Sequence, residues 1–344
     1  MNFLVVTYHL PHPNSTATGR QVFGVWDAIR SLGHDVRAWA WGTPPAGLTP
    51  PEWVELRPFH DPGGWRRKPA TLRRPRWGLA GAGWRLPTDV LAWAEEPESY
   101  PAIAAMPQRG LTLPHSAWLD ALALRRITPA VVQSARAERF AARRSTCCVA
   151  FSDRVARADG SAQVVPVAQP LPVDALPLVE EPVALLIADW SWRPNEVARQ
   201  RLLRWWPQVR SRLPEARLLL AGRGPGIRTD VPGVQQLGAV GDPVDVMRQA
   251  AVLAFPVPRT SGAKMKVLDA MAHGLPVVTT VGGREGVLAE PSGLAVARDD
   301  EFVEVLVDVL SDPARRRRMS AAGRLAVQQQ HLPEQAARQR LELL

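Results

Sequence analysis

Residues 256–280, PVPRTSGAKMKVLDAMAHGLPVVTT, form the densest grouping of chemically useful side chains in this sequence. An apolar run ends at Pro256, and helical patterning begins near Gly262. The first N–H groups of a helix lack intrahelical acceptors, and the helix dipole makes that end positive. Gly262 removes side-chain bulk there, so an anion can approach the backbone closely. Ala263 is small as well, and Lys264 and Lys266 add two positive charges within one turn. These residues describe a cradle for phosphate. The same local physics fits a plain helix start with both lysines in solvent, and on these residues alone the two readings stand level.

Other groups are more scattered. In residues 189–195, DWSWRPN, Asn195 is of the type that caps a helix beginning near Glu196. Arg193, stiffened by Pro194, can bind phosphate bidentately, or be a surface arginine between core tryptophans. Residues 222–225, opened by Gly222 and Arg223, turn sharply after an apolar run. His115 follows a predicted strand, where a structural histidine also fits. Glu95, Glu96 and Glu98 follow another strand end and read first as a solvated acidic loop, second as groups able to touch a substrate. Trp190 and Trp192 sit where a base or sugar ring could stack, whereas Trp26, Trp205 and Trp206 fit apolar helix faces and read as core. The only cysteines, Cys147 and Cys148, are adjacent and offer neither a disulfide framework nor a spaced zinc pair. They read as small residues entering a buried strand. Asp242 and Asp245 look like a helix start rather than a metal-binding pair.

The elements that must position these groups alternate. Residues 3–7 read as a buried strand, 9–19 as a loop, 21–32 as an amphipathic helix with Gly33 as its left-handed cap, and 36–41 as a strand. Strands follow at 53–58, 90–94 and 111–113, a helix at 129–143 opening on Pro129, and strands at 146–151 and 164–167. Residues 61–76 read as a basic loop. The pattern breaks at 168–182, where four prolines give linker chemistry. It restarts with strands at 183–188, 217–221, 251–256 and 276–279, and with helices at 196–213 and 264–273. Helical composition fills 312–344. This is α/β alternation in two blocks, and open α/β sheets bind ligands in a crevice at the carboxyl ends of their strands.

Length and composition agree: 344 residues suit two α/β domains, and 46% apolar with 22% charged residues suits an ordinary globular chain. No run approaches the roughly 20 apolar residues of a membrane-spanning helix. The opening residues read as a strand rather than a secretory signal, so the expected location is the cytoplasm. Lys plus Arg number 42 against 33 acids, a net charge of +9. Such a surface attracts phosphate of any kind. No zinc finger, RNA-recognition signature or basic heptad helix accompanies the charge, so nucleic acid is not an expected partner.

The 256–280 segment resembles the donor-binding signature of glycosyltransferase family 4, retaining enzymes of the GT-B fold. The resemblance runs through Gly262, Lys266, Asp269, Ala270–Ala272, Gly274–Pro276 and Val277–Thr279, on through VGGREG at 281–286, and back through 222–225 and LGAV at 237–240. More loosely it includes Thr18–Gly19–Arg20 and 33–36, then Phe151–Ser152–Asp153 and 164–166, so that nearly the whole chain is covered. It implies two Rossmann-like domains facing each other across a cleft: an acceptor domain at 1–170, a linker at 171–182, a donor-nucleotide domain at 183–330, and a last helix at 331–344 returning to the first domain. It implies transfer of a sugar from a nucleoside diphosphate sugar to a hydroxyl acceptor (glycan, lipid-linked glycan or small molecule) with no metal and no cofactor. Arg193, Lys264 and Lys266 would clamp the leaving diphosphate, with the helix start at Gly262. Gly222 and Arg223 would line the donor site, Gly19 would face the donor phosphates, and His115 would lie near the reacting sugar.

The sequence departs from the family at one place. Two glutamates that contact the donor in well-known members fall on Ser261 and Asp269. Asp269 keeps a carboxylate suited to a ribose; Ser261 keeps only a hydroxyl, which alters the sugar contact. Two other readings remain open: a GT-B-like protein that binds nucleotide or glycan without catalysis, and a basic protein that binds nucleic acid or membrane by charge. A lipid-linked acceptor would place the enzyme peripherally at the inner face of the membrane, with residues 66–76 as the contact.

Overall fold

A computed structural model describes residues 1–57, 84–160, 162–224, 226, 229–288 and 293–344. The basic segment 66–76 and Pro225 lie outside the described residues. The chain divides into two compact units, Met1–Ala168 with Pro333–Leu344, and Gln169–Leu332.

The first unit runs β1 (Asn2–Thr7), α1 (Ala17–Ser31), β2 (Asp35–Ala40), β3 (Val54–Leu56), β4 (Leu91–Ala94), α2 (Tyr100–Ile103), β5 (Arg109–Leu113), α3 (Ala117–Ala123), α4 (Pro129–Arg144), β6 (Cys147–Ala150), α5 (Asp153–Asp159) and β7 (Gln163–Val164). The strands form one parallel sheet in the order β3-β2-β1-β4-β5-β6-β7. Strands such as β1 are buried on both faces, which is why they read as unbroken apolar runs. Thr16 caps α1 through Gly19 N–H at 3.2 Å, so α1 starts a turn earlier than its apolar stripe suggested. Thr128 caps α4 with Pro129 in its first turn. Both cysteines are buried in β6.

The second unit runs β8 (Val183–Ile187), α6 (Arg193–Arg212), β9 (Arg217–Ala221), β10 (Val234–Gly238), α7 (Pro243–Met247), β11 (Val252–Phe255), α8 (Met265–Ala272), β12 (Val277–Thr280), β13 (Ala295–Ala297), α9 (Phe302–Ser311) and α10 (Pro313–Gln330). Its parallel sheet has the order β10-β9-β8-β11-β12-β13. Strand order reverses direction between β8 and β11 here, and between β1 and β4 in the first sheet. Such switch points are where loops diverge and leave a crevice at the strand ends.

The chain returns to the first unit through α11 (Pro333–Glu342), which packs on α1. Arg340 carries its guanidinium into the core, over the rings of Trp26 at 5.3 Å and Trp93 at 4.8 Å, and pairs with Glu95. The proline-rich 171–182 stretch is not loose. Leu176 N–H donates to His273 O at 2.8 Å, Arg324 donates to Pro172 O at 2.9 Å, and Arg316 donates to Glu180 O at 2.7 Å. Arginines of α10 thereby hold it on the second unit. Among the described residues no helix is long and apolar enough to cross a membrane.

Candidate functional site

The densest chemistry gathers around the β8–β11 switch point. After β8 the chain runs through Asp189 into α6, whose first turn contains Arg193, Pro194 and Asn195. Pro194 fits a first helical turn because it needs no N–H partner there, so the helix begins three residues before the expected Glu196. Asn195 is therefore not the cap; that position falls to Trp192. Its side chain bridges instead. Asn195 Nδ2 donates to Asp189 O at 2.8 Å, and Asn195 Oδ1 accepts from Lys266 Nζ at 2.8 Å.

Lys266 leaves the first turn of α8 with its ammonium 4.4 Å from the centre of the Phe255 ring, at the end of β11. Burial, with repulsion from Lys264, pushes its pKa down to about 7, against the pull of Asp189. At Asp189, partial burial opposes ionisation. Bonds from the N–H and hydroxyl of Ser191, with Arg223 and Lys266 nearby, outweigh that and hold the carboxyl below its ordinary value. Arg193 is exposed at the positive end of the α6 dipole, so the helix adds to its field rather than neutralising it.

The turn after β9 closes on the same region. Gly222 has a φ of 137°, and a Cβ there would stand 1.7 Å from Ala188 O. Only glycine permits that approach. Arg223 O accepts from Trp190 N–H at 2.8 Å. Trp190 itself is buried beneath Arg199, whose guanidinium lies 4.8 Å from its ring centre, so it is core rather than a stacking platform. Trp192 is exposed.

The loop before α8 corrects the expected cradle. The helix starts at Met265, not near Gly262, and Lys264 occupies the cap position. Gly262, in the left-handed region at φ 79°, gives its N–H to Glu285 Oε1 at 3.0 Å. Lys264 is buried and turns back on its own loop, donating to Ser261 O at 2.9 Å, Gly262 O at 2.5 Å and Thr260 O at 3.4 Å. A lysine there satisfies carbonyls that a positive-φ loop leaves unpaired. Lys264 thus organises the loop while Lys266 carries the charge toward the switch point. Ser261 is buried, and Ala263 is partly buried beside it. Glu285 comes from the 281–286 loop, which lies tightly on residues 258–259: a Cβ on Gly282 would meet Pro258 O at 2.5 Å. Asp269 Oδ1 accepts from Gln169 Nε2 at 3.4 Å and lies 3.6 Å from His273 Nδ1.

In the first unit, Gly19 sits in the first turn of α1 with its N–H already bonded to Thr16; a Cβ there would meet Leu10 O at 2.4 Å. His115, half exposed after β5, stands 3.9 Å from Asp120 Oδ2. Glu95 and Glu96 are not a solvated loop. Glu95 accepts from Trp26 Nε1 at 2.5 Å and pairs with Arg340. Glu96 accepts from Thr7 Oγ1 at 3.2 Å, from Tyr8 N–H and from the Ser99 hydroxyl. Burial pushes the Glu96 carboxyl up to about 8, although the bonds from Ser99 and Tyr8 act the other way. Both glutamates lie just past the end of β4, where the first sheet switches direction.

Sequence reasoning missed Asn195 as the partner of Lys266 and Glu285 as the partner of Gly262. The paired glycines before Arg284 were the available signal for Glu285, since they mark a close backbone approach.

With this geometry in place, comparison with known proteins is informative. Residues 181–312 match the family model described as glycosyl transferases group 1. That match lies within the second unit, Gln169–Leu332. Over 146 residues the chain is 34% identical to a GDP-mannose-dependent monoacylated alpha-(1-6)-phosphatidylinositol monomannoside mannosyltransferase of Corynebacterium glutamicum. That match spans 37% of this chain and 38% of the relative's own length. Sucrose-phosphate synthase from Thermosynechococcus elongatus superposes with a TM-score of 0.74 at 14% identity, covering 100% of this chain and 98% of that one. HepE of Anabaena, solved in complex with UDP and glucose, superposes with a TM-score of 0.69 at 13% identity over 98% of both chains. The two units share the GT-B fold of two Rossmann-like domains with these structures.

Proposed function

We propose that the chain is a glycosyltransferase that moves a sugar from a nucleoside diphosphate sugar to a hydroxyl acceptor, with retention at the anomeric carbon. The observation that carries this reading is Lys266, held by Asn195 at the β8–β11 switch point, with Arg193 in the first turn of α6 and Arg223 in the turn after β9. Departure of a nucleoside diphosphate concentrates negative charge on its phosphate oxygens, and fixed positive groups stabilise that charge as it develops. A lysine poised near neutrality gains a full charge when the diphosphate arrives. Asp269 is assigned to the ribose. Glu285 is assigned to the sugar in place of the carboxylate absent at Ser261. Gly19 and His115 keep roles toward phosphate and sugar on the resemblance alone. The relatives support the donor class, one named as GDP-mannose-dependent and one solved with UDP.

Calorimetric titration with nucleoside diphosphates and their sugars tests the reading. One diphosphate should bind the wild-type chain, and Lys266→Ala should weaken it by about a hundredfold while the thermal unfolding profile is kept, given about 3 kcal/mol for a strong charge-assisted contact. Unchanged affinity in Lys266→Ala would remove the assignment. Tight binding without transfer or donor hydrolysis would move the chain to the non-catalytic nucleotide-binding reading.

A further inference from the structure

The hairpin of α3 and α4 in the first unit presents a face that nothing in the donor-site reading uses. Residues 122–144 include six arginines, at 125, 126, 136, 139, 143 and 144, all exposed and none in an ion pair among the described residues. The one acid in that stretch, Glu138, is buried and turned inward, accepting from Ala117 N–H at 3.2 Å. Between the arginines stand three large apolar side chains in solvent: Leu122 at 46% exposure, Ile127 at 54% and Phe140 at 57%.

The backbone contributes to this display. Arg125 is the one residue other than glycine with positive φ among the described residues, at 50°. It ends α3 in the left-handed conformation, with Arg125 N–H on Leu122 O at 3.1 Å and Arg126 N–H on Ala121 O at 2.8 Å. Glycine or asparagine normally takes that position, and an arginine there is strained by its Cβ. The strained turn throws Arg125, Arg126 and Ile127 outward together. On α4, Arg136, Phe140, Arg143 and Arg144 recur at helical spacing along one side, with the Arg144 guanidinium 5.0 Å from the Phe140 ring centre.

We propose that this face docks on an anionic lipid bilayer. Arginine forks pair with lipid phosphates, while Leu122, Ile127 and Phe140 enter the boundary between headgroups and acyl chains, the mix that holds a protein on a membrane surface. A nucleic acid would match the arginines but give Leu122 and Ile127 no apolar environment. A lipid surface supplies both the negative charge and the apolar environment that this face calls for. The inference does not depend on the transferase reading, because its readout is binding to vesicles.

The test is co-sedimentation of the full chain with vesicles of phosphatidylcholine mixed with phosphatidylglycerol, against phosphatidylcholine alone. The wild-type chain should partition onto the anionic vesicles and not the neutral ones. Arg136→Ala/Arg143→Ala should lower that partition by about 20-fold, from roughly fivefold per arginine at an anionic surface. Phe140→Ser should lower it by about tenfold or more, with unfolding curves unchanged because all three side chains are exposed. Arg317→Ala/Arg318→Ala, which removes the same charge from α10, should leave it unaltered. Equal losses in both double variants would reduce the effect to net charge and overturn the proposal. So would loss of binding on neutralising arginines 66, 67, 73, 74 and 76 but not on the α4 changes, or α4 variants that lose duplex DNA binding but keep the vesicles.

Discussion

Lys266 Nζ donates to Asn195 Oδ1 at 2.8 Å, joining the first turns of the two helices that follow β11 and β8. Seventy-one residues apart in sequence, the pair spans the point where the second sheet reverses its strand order. Asn195 therefore aims the ammonium. Asn195→Ala should weaken nucleoside diphosphate binding by about tenfold, the loss of one bond to a charged group at about 1.5 kcal/mol, and less than Lys266→Ala does. Titration of both variants and their double checks this; additive losses would show that the two act independently.

Binding should depend on pH through Lys266. Its pKa is pushed down to about 7, so above that pH the free protein holds it neutral. A bound diphosphate raises that pKa, so binding above pH 7 takes up a proton. Through Lys266, affinity should fall by up to tenfold per unit above pH 7. Lys266→Arg, charged at every accessible pH, should abolish the slope. Calorimetry in buffers of different ionisation enthalpy measures the proton directly.

Substitution at Glu285 should distinguish sugar binding from diphosphate binding. One of its oxygens holds Gly262 N–H at 3.0 Å. If the other meets the sugar, Glu285→Gln should cut turnover by about ten- to a hundredfold with nucleoside diphosphate affinity nearly unchanged, since a neutral amide keeps the bond to Gly262 but loses the charge. Equal losses for the free diphosphate and the sugar donor would make Glu285 a loop support only.

Glu96 should give the first unit a stability that falls as pH rises. Its carboxyl is pushed up to about 8 when folded and returns to its ordinary 4.5 when unfolded. Between those values the folded state keeps a proton that the unfolded state has lost, so stability drops across pH 4.5 to 8 and levels above. Glu96→Gln mimics the protonated carboxyl toward Thr7, Tyr8 and Ser99. Denaturant unfolding across that range should show a flatter slope in the variant.

The pair between Arg340 and Glu95 is buried at 1% and 0% side-chain exposure. Removing one member strands the other charge among Trp26 and Trp93. Arg340→Met should therefore cost about 3–5 kcal/mol in denaturant unfolding of the first unit, and Arg340→Met/Glu95→Met considerably less than the sum of the two single changes.

Local pattern was enough for the regular elements whose cause is local. β1, β8, β11 and β12 are buried on both faces, so their apolar runs announced them, and Pro129 and Gly33 marked the ends of helices they stabilise. Helices α2, α3 and α5, of 4, 7 and 7 residues, escaped because so few turns leave no periodic stripe. The 171–182 stretch looked like a linker for the same reason: composition shows its prolines, but not Arg316 and Arg324, which hold its carbonyls from more than 130 residues away.

The site divides along the same line. By itself the sequence determined that a small, positively charged helix start follows β11, and through its motif that a nucleotide-sugar enzyme was the reading to test. Tertiary structure decided which charge is offered there. Lys264 and Lys266 are two residues apart and alike in type, yet one is consumed by the carbonyls of its own loop while the other is lifted onto Asn195. It likewise sent Glu95 and Glu96 inward, toward Trp26, Arg340 and Thr7. Patterning in a chain records which faces meet water. The partner of a buried charge is set by which strand ends the topology brings together, and that information exists only once the sheet has formed.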